Sequence, residues 1–282
     1  MKQAIIIAGI NGFLGNRLKE ILKEYFTVYG IAKEECFDGD NHVFSSSAIE
    51  EITIKPDFLI LCHAAVSSGN ISQSNDLLYD VNVKLTERII SKFNTSKIVY
   101  ISTASIFDHG KDTITENTID NPGNEYAISK LWAEKLVLKS GNGVIIRLSS
   151  VYGANMKEYT IIPNYVNQAL SKNRIEVWGR GNRKQNYIFI DDICKLVWKV
   201  LSLHDRVCNQ ILLGVSNLEY SNLELATIIA EFTKSKIEFI KEDNSTSLSY
   251  NNKKTQQLLS WLPEANLKHE VINYIKWKQK QS

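Results

Sequence analysis

The chain has 282 residues, 44% of them hydrophobic, and its 33 basic and 31 acidic side chains leave a net charge of +2. That is apolar material enough for one large domain or two small ones. The even charge balance, with no basic stripe carrying interleaved aromatics, argues against a nucleic-acid surface, and no apolar run approaches the length of a membrane span.

The elements alternate in chain order. "AIIIAG" (Ala4–Gly9) reads as a strand buried on both faces, and its short apolar run flows into a glycine turn rather than a signal-peptide cleavage pattern. A helix is predicted over Leu14–Glu24, then a strand "TVYGIA" (Thr27–Ala32) and a strand "DFLILCHAA" (Asp57–Ala65). A helix over Leu77–Phe93 leads to "KIVYIST" (Lys97–Thr103), and a helix over Tyr126–Leu138 leads to "GVIIRLS" (Gly143–Ser149). Strand and helix in alternation predict an α/β fold, a doubly wound parallel sheet of the Rossmann type. After Tyr152 the rhythm weakens to shorter pieces such as "YIFI" (Tyr187–Ile190) and a helix over Leu223–Phe232. The expected division is therefore a doubly wound domain over 1–152 and a smaller, interleaved lobe over 153–282, with Tyr187–Leu203 returning to the first.

Cysteines 36, 62, 194 and 208 are scattered without a C-x-x-C pair, so reduced thiols in a cytoplasmic protein are expected. Histidines 42, 63, 109, 204 and 269 show no ligand spacing, and no metal site is expected.

"GINGFLG" follows the first strand and opens the first helix. Gly9 permits the tight turn, Gly12 lets backbone approach a pyrophosphate, and Gly15 lets the helix pack close to the sheet. The helix start adds free N–H groups and a positive dipole end. The turn from Gly9 through Asn11, Gly12, Phe13 and Leu14 to Gly15 is thus the expected dinucleotide cradle.

The G-x-x-G-x-x-G spacing, "NVKLTE" around Asn82, "YISTASIF" and "YAISK" occur here in an order and at intervals that resemble the extended short-chain dehydrogenase/reductase family. These are NAD(P)-dependent epimerases, dehydratases and reductases acting mostly on nucleotide sugars. "RLSSVYGAN", "GRGNRKQNYIFIDDI" and "WLPEANLKHEVINYIKW" resemble that family's substrate lobe, so the likeness spans nearly the whole chain. It implies a catalytic set of Thr103, Tyr126 and Lys130. Tyr126 gives or takes the proton while a nicotinamide moves the hydride. Lys130, one helical turn away, lowers the phenol's pKa from about 10 and reaches the nicotinamide ribose. Thr103, with Ser102 beside it, orients the carbonyl. Ala64, Ala65 and Asn82 are expected at the cofactor.

After Thr103 the family's 4,6-dehydratases carry an Asp-Glu pair. This chain has Ala104 and Ser105, so elimination and carbanion chemistry are disfavoured. Reduction of a 4-keto sugar remains, as does the oxidise–rotate–reduce cycle of a 4-epimerase. The second strand ends in Ala32 and Lys33, where an NAD site usually presents an acid to the ribose. A cation there favours the 2′-phosphate of NADP, with NAD the alternative, although Glu34 and Glu35 follow at once. In the substrate lobe, Ser150 replaces the family's asparagine, and Gln185, beside Arg183 and Lys184, replaces its diphosphate-gripping arginine. Cys62 and His63 read as core residues. The leading expectation is an NADPH-dependent reductase of a nucleotide-linked 4-keto deoxysugar. The alternatives are an NAD-containing 4-epimerase, a reductase of a small non-sugar carbonyl, and a dinucleotide-sensing regulator.

The helices Leu77–Phe93 and Tyr126–Leu138, the second carrying Leu131, Trp132, Leu136 and Leu138, match the pair through which many relatives form a homodimer, and that partner is expected here.

Overall fold

A computed structural model describes residues 2–38, 41–67, 71–107 and 113–281; His109 lies outside them. At the centre is strand β1 (Ala4–Ala8), whose side chains alternate between two cores. Ile5 and Ile7 face one buried cluster, and Ile6 and Ala8 face another. A strand buried on both faces needs a helical layer on each. Helix α1 (Phe13–Leu22) supplies the first with Leu18 and Leu22, joined by α6 (Ile190–Ser202) through Ile193, Leu196 and Val197. The second is covered by α3 (Leu85–Lys92) and α4 (Glu125–Lys139), through Ile89, Ile90, Ala133 and Val137.

The remaining strands of this sheet are β2 (Thr27–Ala32), β3 (Cys36–Asp38), β4 (Asn41–Ser45), β5 (Phe58–Leu61), β6 (Lys97–Thr103), β7 (Gly143–Leu148) and β11 (Ile211–Gly214). They form an eight-stranded sheet in the order β11-β7-β6-β5-β1-β2-β4-β3. Every pairing is parallel except that of the edge strand β3 with β4. The strand order reverses beside β1, between β2 and β5, which opens a crevice at the carboxyl ends there.

The rest of the chain packs around a separate apolar cluster. It contains Tyr165 and Val166 of α5 (Ile161–Lys172), Leu225 and Ile229 of α8 (Asn222–Thr233), and Val271 and Ile275 of α10 (Leu267–Gln279). Two small sheets accompany it. One orders β12 (Glu219–Ser221), β10 (Lys184–Phe189) and β8 (Ser150–Tyr152), and the other pairs β13 (Lys236–Ile240) with β9 (Arg174–Trp178).

Several predicted boundaries move. The strand expected over Asp57–Ala65 ends at Leu61, because the backbone of Ala65 is taken by the Asn82 side chain instead of a neighbouring strand. "YIFI" is the end of a longer strand, and its Ile190 already begins α6. Strand β11 lies beyond the Tyr187–Leu203 stretch expected to return to the main sheet, yet pairs in register with β7, Ile211 opposite Ile145. The helix expected over Leu77–Phe93 runs as α2 (Asn75–Leu78), a π-helical segment Tyr79–Lys84, and α3. The wide π turn carries Asn82, and such turns are frequent at functional sites.

Candidate active site

A cleft of about 1050 Å³ runs along the carboxyl edge of the sheet and under α5 and β10. Its floor at one end is the glycine turn. Gly9 has φ +81°, and a Cβ there would lie 2.7 Å from the His63 amide nitrogen; a Cβ at Gly15 would collide with the Gly9 carbonyl. Helix α1 has no side-chain cap and no acidic residue in its first turn, so its leading N–H groups and dipole face an anion unopposed. These are the features expected of a dinucleotide cradle: a tight turn and open N–H donors.

At the other end lies the predicted catalytic set. Asn124 caps α4 by accepting from the Ala127 amide at 2.9 Å, which fixes the start of the helix and puts Tyr126 in its first turn. The Tyr126 hydroxyl lies beside the Thr103 side chain at the end of β6, and both line the cleft. Thr103 in turn accepts from the Ser105 amide at 3.1 Å and donates to Ser105 Oγ at 3.0 Å, closing a 3₁₀ turn over Ala104–Ile106. Lys130 Nζ donates to the Ile101 carbonyl at 2.8 Å and rests 4.1 Å from the centre of the Tyr100 ring. Burial pushes the Tyr126 phenol up to about 12. Burial also brings the Lys130 ammonium down to about 7, with Glu134 pulling it back up. In the free protein the phenol is therefore neutral near pH 7.

Of the expected site residues, Gly9, Gly12, Phe13, Leu14, Gly15, Ala32, Lys33, Ala64, Ser102, Thr103, Tyr126, Lys130, Ser150, Arg183 and Gln185 line this cleft. Asn11 is exposed on the turn and, like Ala65 and Asn82, is not part of the lining. Asn82 is instead a buried clamp. Its Oδ1 accepts from the Ala65 amide at 2.8 Å, and its Nδ2 donates to the Ala65 carbonyl and to Ser129 Oγ, each at 2.9 Å. Ser129 donates to the Tyr126 carbonyl, so the loop after β5 is tied to the catalytic helix. His63, expected in or near the core, is buried, yet with Cys62 it also lines the cleft. Thr86 spends its proton on the Asn82 carbonyl, so His63 Nε2 must be the donor in their 2.9 Å contact.

Ser46, Ser105, Lys157 and Tyr159 also line the cleft and escaped the sequence reading. The serine run after β4 was the available signal for Ser46. Lys157 and Tyr159 lie in an irregular loop where no periodicity speaks. Gln185, placed where a grip on a diphosphate was expected, donates to Asn222 Oδ1 at 2.8 Å. Two residues earlier, Arg183 has a buried Nε with no partner, and the nearby Tyr187 hydroxyl is likewise unpartnered.

A parallel Rossmann sheet with a glycine cradle at one end of its crevice and Thr–Tyr–Lys at the other is the arrangement of the extended short-chain dehydrogenase/reductase class. The chain belongs to the NAD dependent epimerase/dehydratase family, whose sequence model matches residues 5–213. It is 24% identical over 270 residues to dTDP-D-glucose 4,6-dehydratase of Dictyostelium discoideum, covering 79% of this chain and 61% of that one. It is 23% identical to UDP-glucuronate 4-epimerase of Thermodesulfobacterium geofontis (97% and 95% covered) and to CDP-abequose synthase of Salmonella typhimurium (98% and 98%). Among solved structures, MoeE5 in complex with UDP-glucose and NAD superposes with a TM-score of 0.88 at 17% identity, over 99% of each chain. The UDP-glucuronic acid 4-epimerase of Bacillus cereus with UDP-glucuronic acid and NAD gives 0.87 at 17%, over 97% and 99%.

Proposed function

We propose that the protein is an NADPH-dependent reductase of a nucleoside-diphosphate 4-keto sugar. One observation carries this reading. Lys33, Lys130, Lys157, Arg183 and Lys184 line the cleft, and among the described residues no carboxylate does. Each region of the cleft gives that pattern a meaning. Where an acid would take the adenosine ribose hydroxyls, Ala32 and Lys33 stand with Ser46, a set suited to a 2′-phosphate. Glu35, which the sequence put close by, is engaged with His42 at 2.7 Å. Beside Thr103, the absence of a carboxylate removes the base and acid that a 4,6-elimination requires. At the substrate end, the unpartnered Arg183 Nε and Tyr187 hydroxyl are donors for a diphosphate, in place of Gln185.

A nicotinamide bound over Tyr126 and Lys130 would supply the hydride. Tyr126, neutral and beside Thr103, donates the proton; Thr103 and Ser102, whose Oγ is buried without a partner, orient the carbonyl oxygen. Lys130 would hold the ribose and offset the phenolate that remains. A second reading, an NAD-dependent 4-epimerase, is supported by the small Ala104 beside Thr103 and by the similarity to UDP-glucuronate 4-epimerase. The same residues would then act once in each direction. Absorbance at the NADPH band, during a screen of nucleoside-diphosphate 4-keto sugars, tests the reductase. Tightly held NAD in the purified protein, with no net NADPH consumption, would overturn it in favour of the epimerase.

We also infer a homodimer across α2, the π segment and α4. Trp132 and Ile128 are 51% and 50% exposed, and Leu77 and Tyr79 are 42% and 43% exposed. Tyr79 and Trp132 pack against each other with ring centres 5.5 Å apart. Leu136 and Leu138, expected in that face, pack instead on the protein's own core.

A further inference from the structure

Glu134 stands one turn beyond Lys130 on the same face of α4, and both are buried almost completely. Its two oxygens take the Arg147 guanidinium at 3.0 and 2.7 Å. Arg147, also buried, reaches Asp120 at 2.7 Å and lies 4.9 Å from the centre of the Phe107 ring. Each member comes from a segment that shapes the site. Arg147 is in register with Ser102, which precedes Thr103. Asp120 leads into the Asn124 cap of α4.

The charges alternate along this cluster: Lys130, Glu134, Arg147, Asp120. Arg147 and Glu134 alone would form a closed neutral pair. Asp120 gives Arg147 a second carboxylate, and Lys135 meets Asp120 from the solvent side at 3.4 Å; its side chain is 58% exposed and screened by water, so the inner members carry a net negative charge and Lys130 is the buried cation placed to balance it. The other titratable groups facing Lys130 do not compete. Cys62, raised to about 12, and His63, lowered to about 3, come from the segment after β5; Tyr100, raised, comes from β6; and Tyr126, raised to about 12, shares the helix. Burial keeps all four neutral at pH 7.

We propose that Glu134, held by Arg147 and Asp120, is a positioning residue for the reaction: its carboxylate keeps Lys130 protonated and so sets the pH range over which the site works. The proposal rests on the reading of Lys130 as a cofactor-contacting ammonium. NADH is the probe, because it lacks a 2′-phosphate, a group whose own ionisation falls near pH 6. Its binding is followed by fluorescence between about pH 6 and 9.5, below the free lysine pKa. The affinity of the wild-type protein is expected to fall as Lys130 loses its proton, and Lys130→Met to abolish the fall. Glu134→Gln should move the midpoint down by about one pH unit, a tenfold loss of proton affinity. Asp120→Asn, which keeps the buried pair and serves if Glu134→Gln does not fold, should move it the same way by less. A purely structural bridge would lower the melting temperature and leave the midpoint in place, and that result overturns the proposal. A step lost in Lys130→Met but unmoved in both carboxylate variants overturns it alone. A step that survives Lys130→Met, or wild-type binding that is flat with pH, removes Lys130 from the cofactor and the proposal with it.

Discussion

Tyr126 and Lys130 stand one turn apart on α4, yet their polar atoms engage different residues of β6: the hydroxyl meets the Thr103 side chain, and the ammonium donates to the Ile101 carbonyl at 2.8 Å. The strand thus holds the two groups separately. Removing the Tyr126 hydroxyl leaves the Lys130 anchor untouched. Tyr126→Phe should therefore lower turnover by about 10²–10⁴, the worth of a general acid, while cofactor affinity stays near wild type. Lys130→Met should damage both. Steady-state kinetics beside a cofactor titration separates the two effects, and a Tyr126→Phe enzyme with wild-type turnover would remove the phenol from the chemistry.

Cofactor choice rests on the end of β2. Lys33 is exposed at the mouth of the cleft, and its carbonyl accepts from Ser45 Oγ at 3.1 Å, which holds the backbone in place when the side chain is cut back. Lys33→Ala should weaken NADPH about tenfold or more, the worth of one charge-assisted contact, and leave NADH nearly unchanged. Equal losses for the two cofactors would show that Lys33 does not discriminate between them.

How much of this was legible in the sequence depends on how local the signal is. The glycine turn, the central strands and the Thr103, Tyr126 and Lys130 set were readable, because each lies in a short segment with its own spacing. Strand β11 was not. Its "ILLG" is four residues long, and only pairing with β7, some 66 residues earlier in register, makes it part of the sheet. Asn82 was singled out by its motif, but what its side chain ties together was not legible. Its sequence neighbours give no sign that its amide reaches back to Ala65 and across to Ser129. Likewise, nothing local tells that Gln185 is tied to Asn222 while Arg183 keeps an unpartnered nitrogen.

The exposed aromatic face predicts assembly. Trp132 and Tyr79 are large, partly exposed and in mutual contact, and a C₂ dimer is the commonest way to cover such a patch. Light scattering at micromolar concentration should give about twice the 32.1 kDa chain mass. Trp132→Glu, at a site that packs on no core of its own chain, should yield a folded monomer. A monomeric wild-type protein would sink the inference.

Acid should unfold this protein partly through His63. Burial lowers its pKa to about 3, whereas in the unfolded chain it lies near 6.5. Below pH 6.5 the unfolded state gains a proton that the folded state refuses. The stability contribution is therefore complete above about pH 6.5 and is lost as the pH falls toward 3. At pH 5 the loss from this one group is about 2 kcal/mol, on the order of a unit and a half of proton affinity. His63→Gln keeps an N–H that can reach Thr86 but has no proton to take up. Urea unfolding at pH 7.5 and pH 5 should show the variant losing about 2 kcal/mol less than wild type between the two. Equal losses would mean that His63 is solvated or already charged in the folded protein, contrary to its burial beside Thr86 and Lys130.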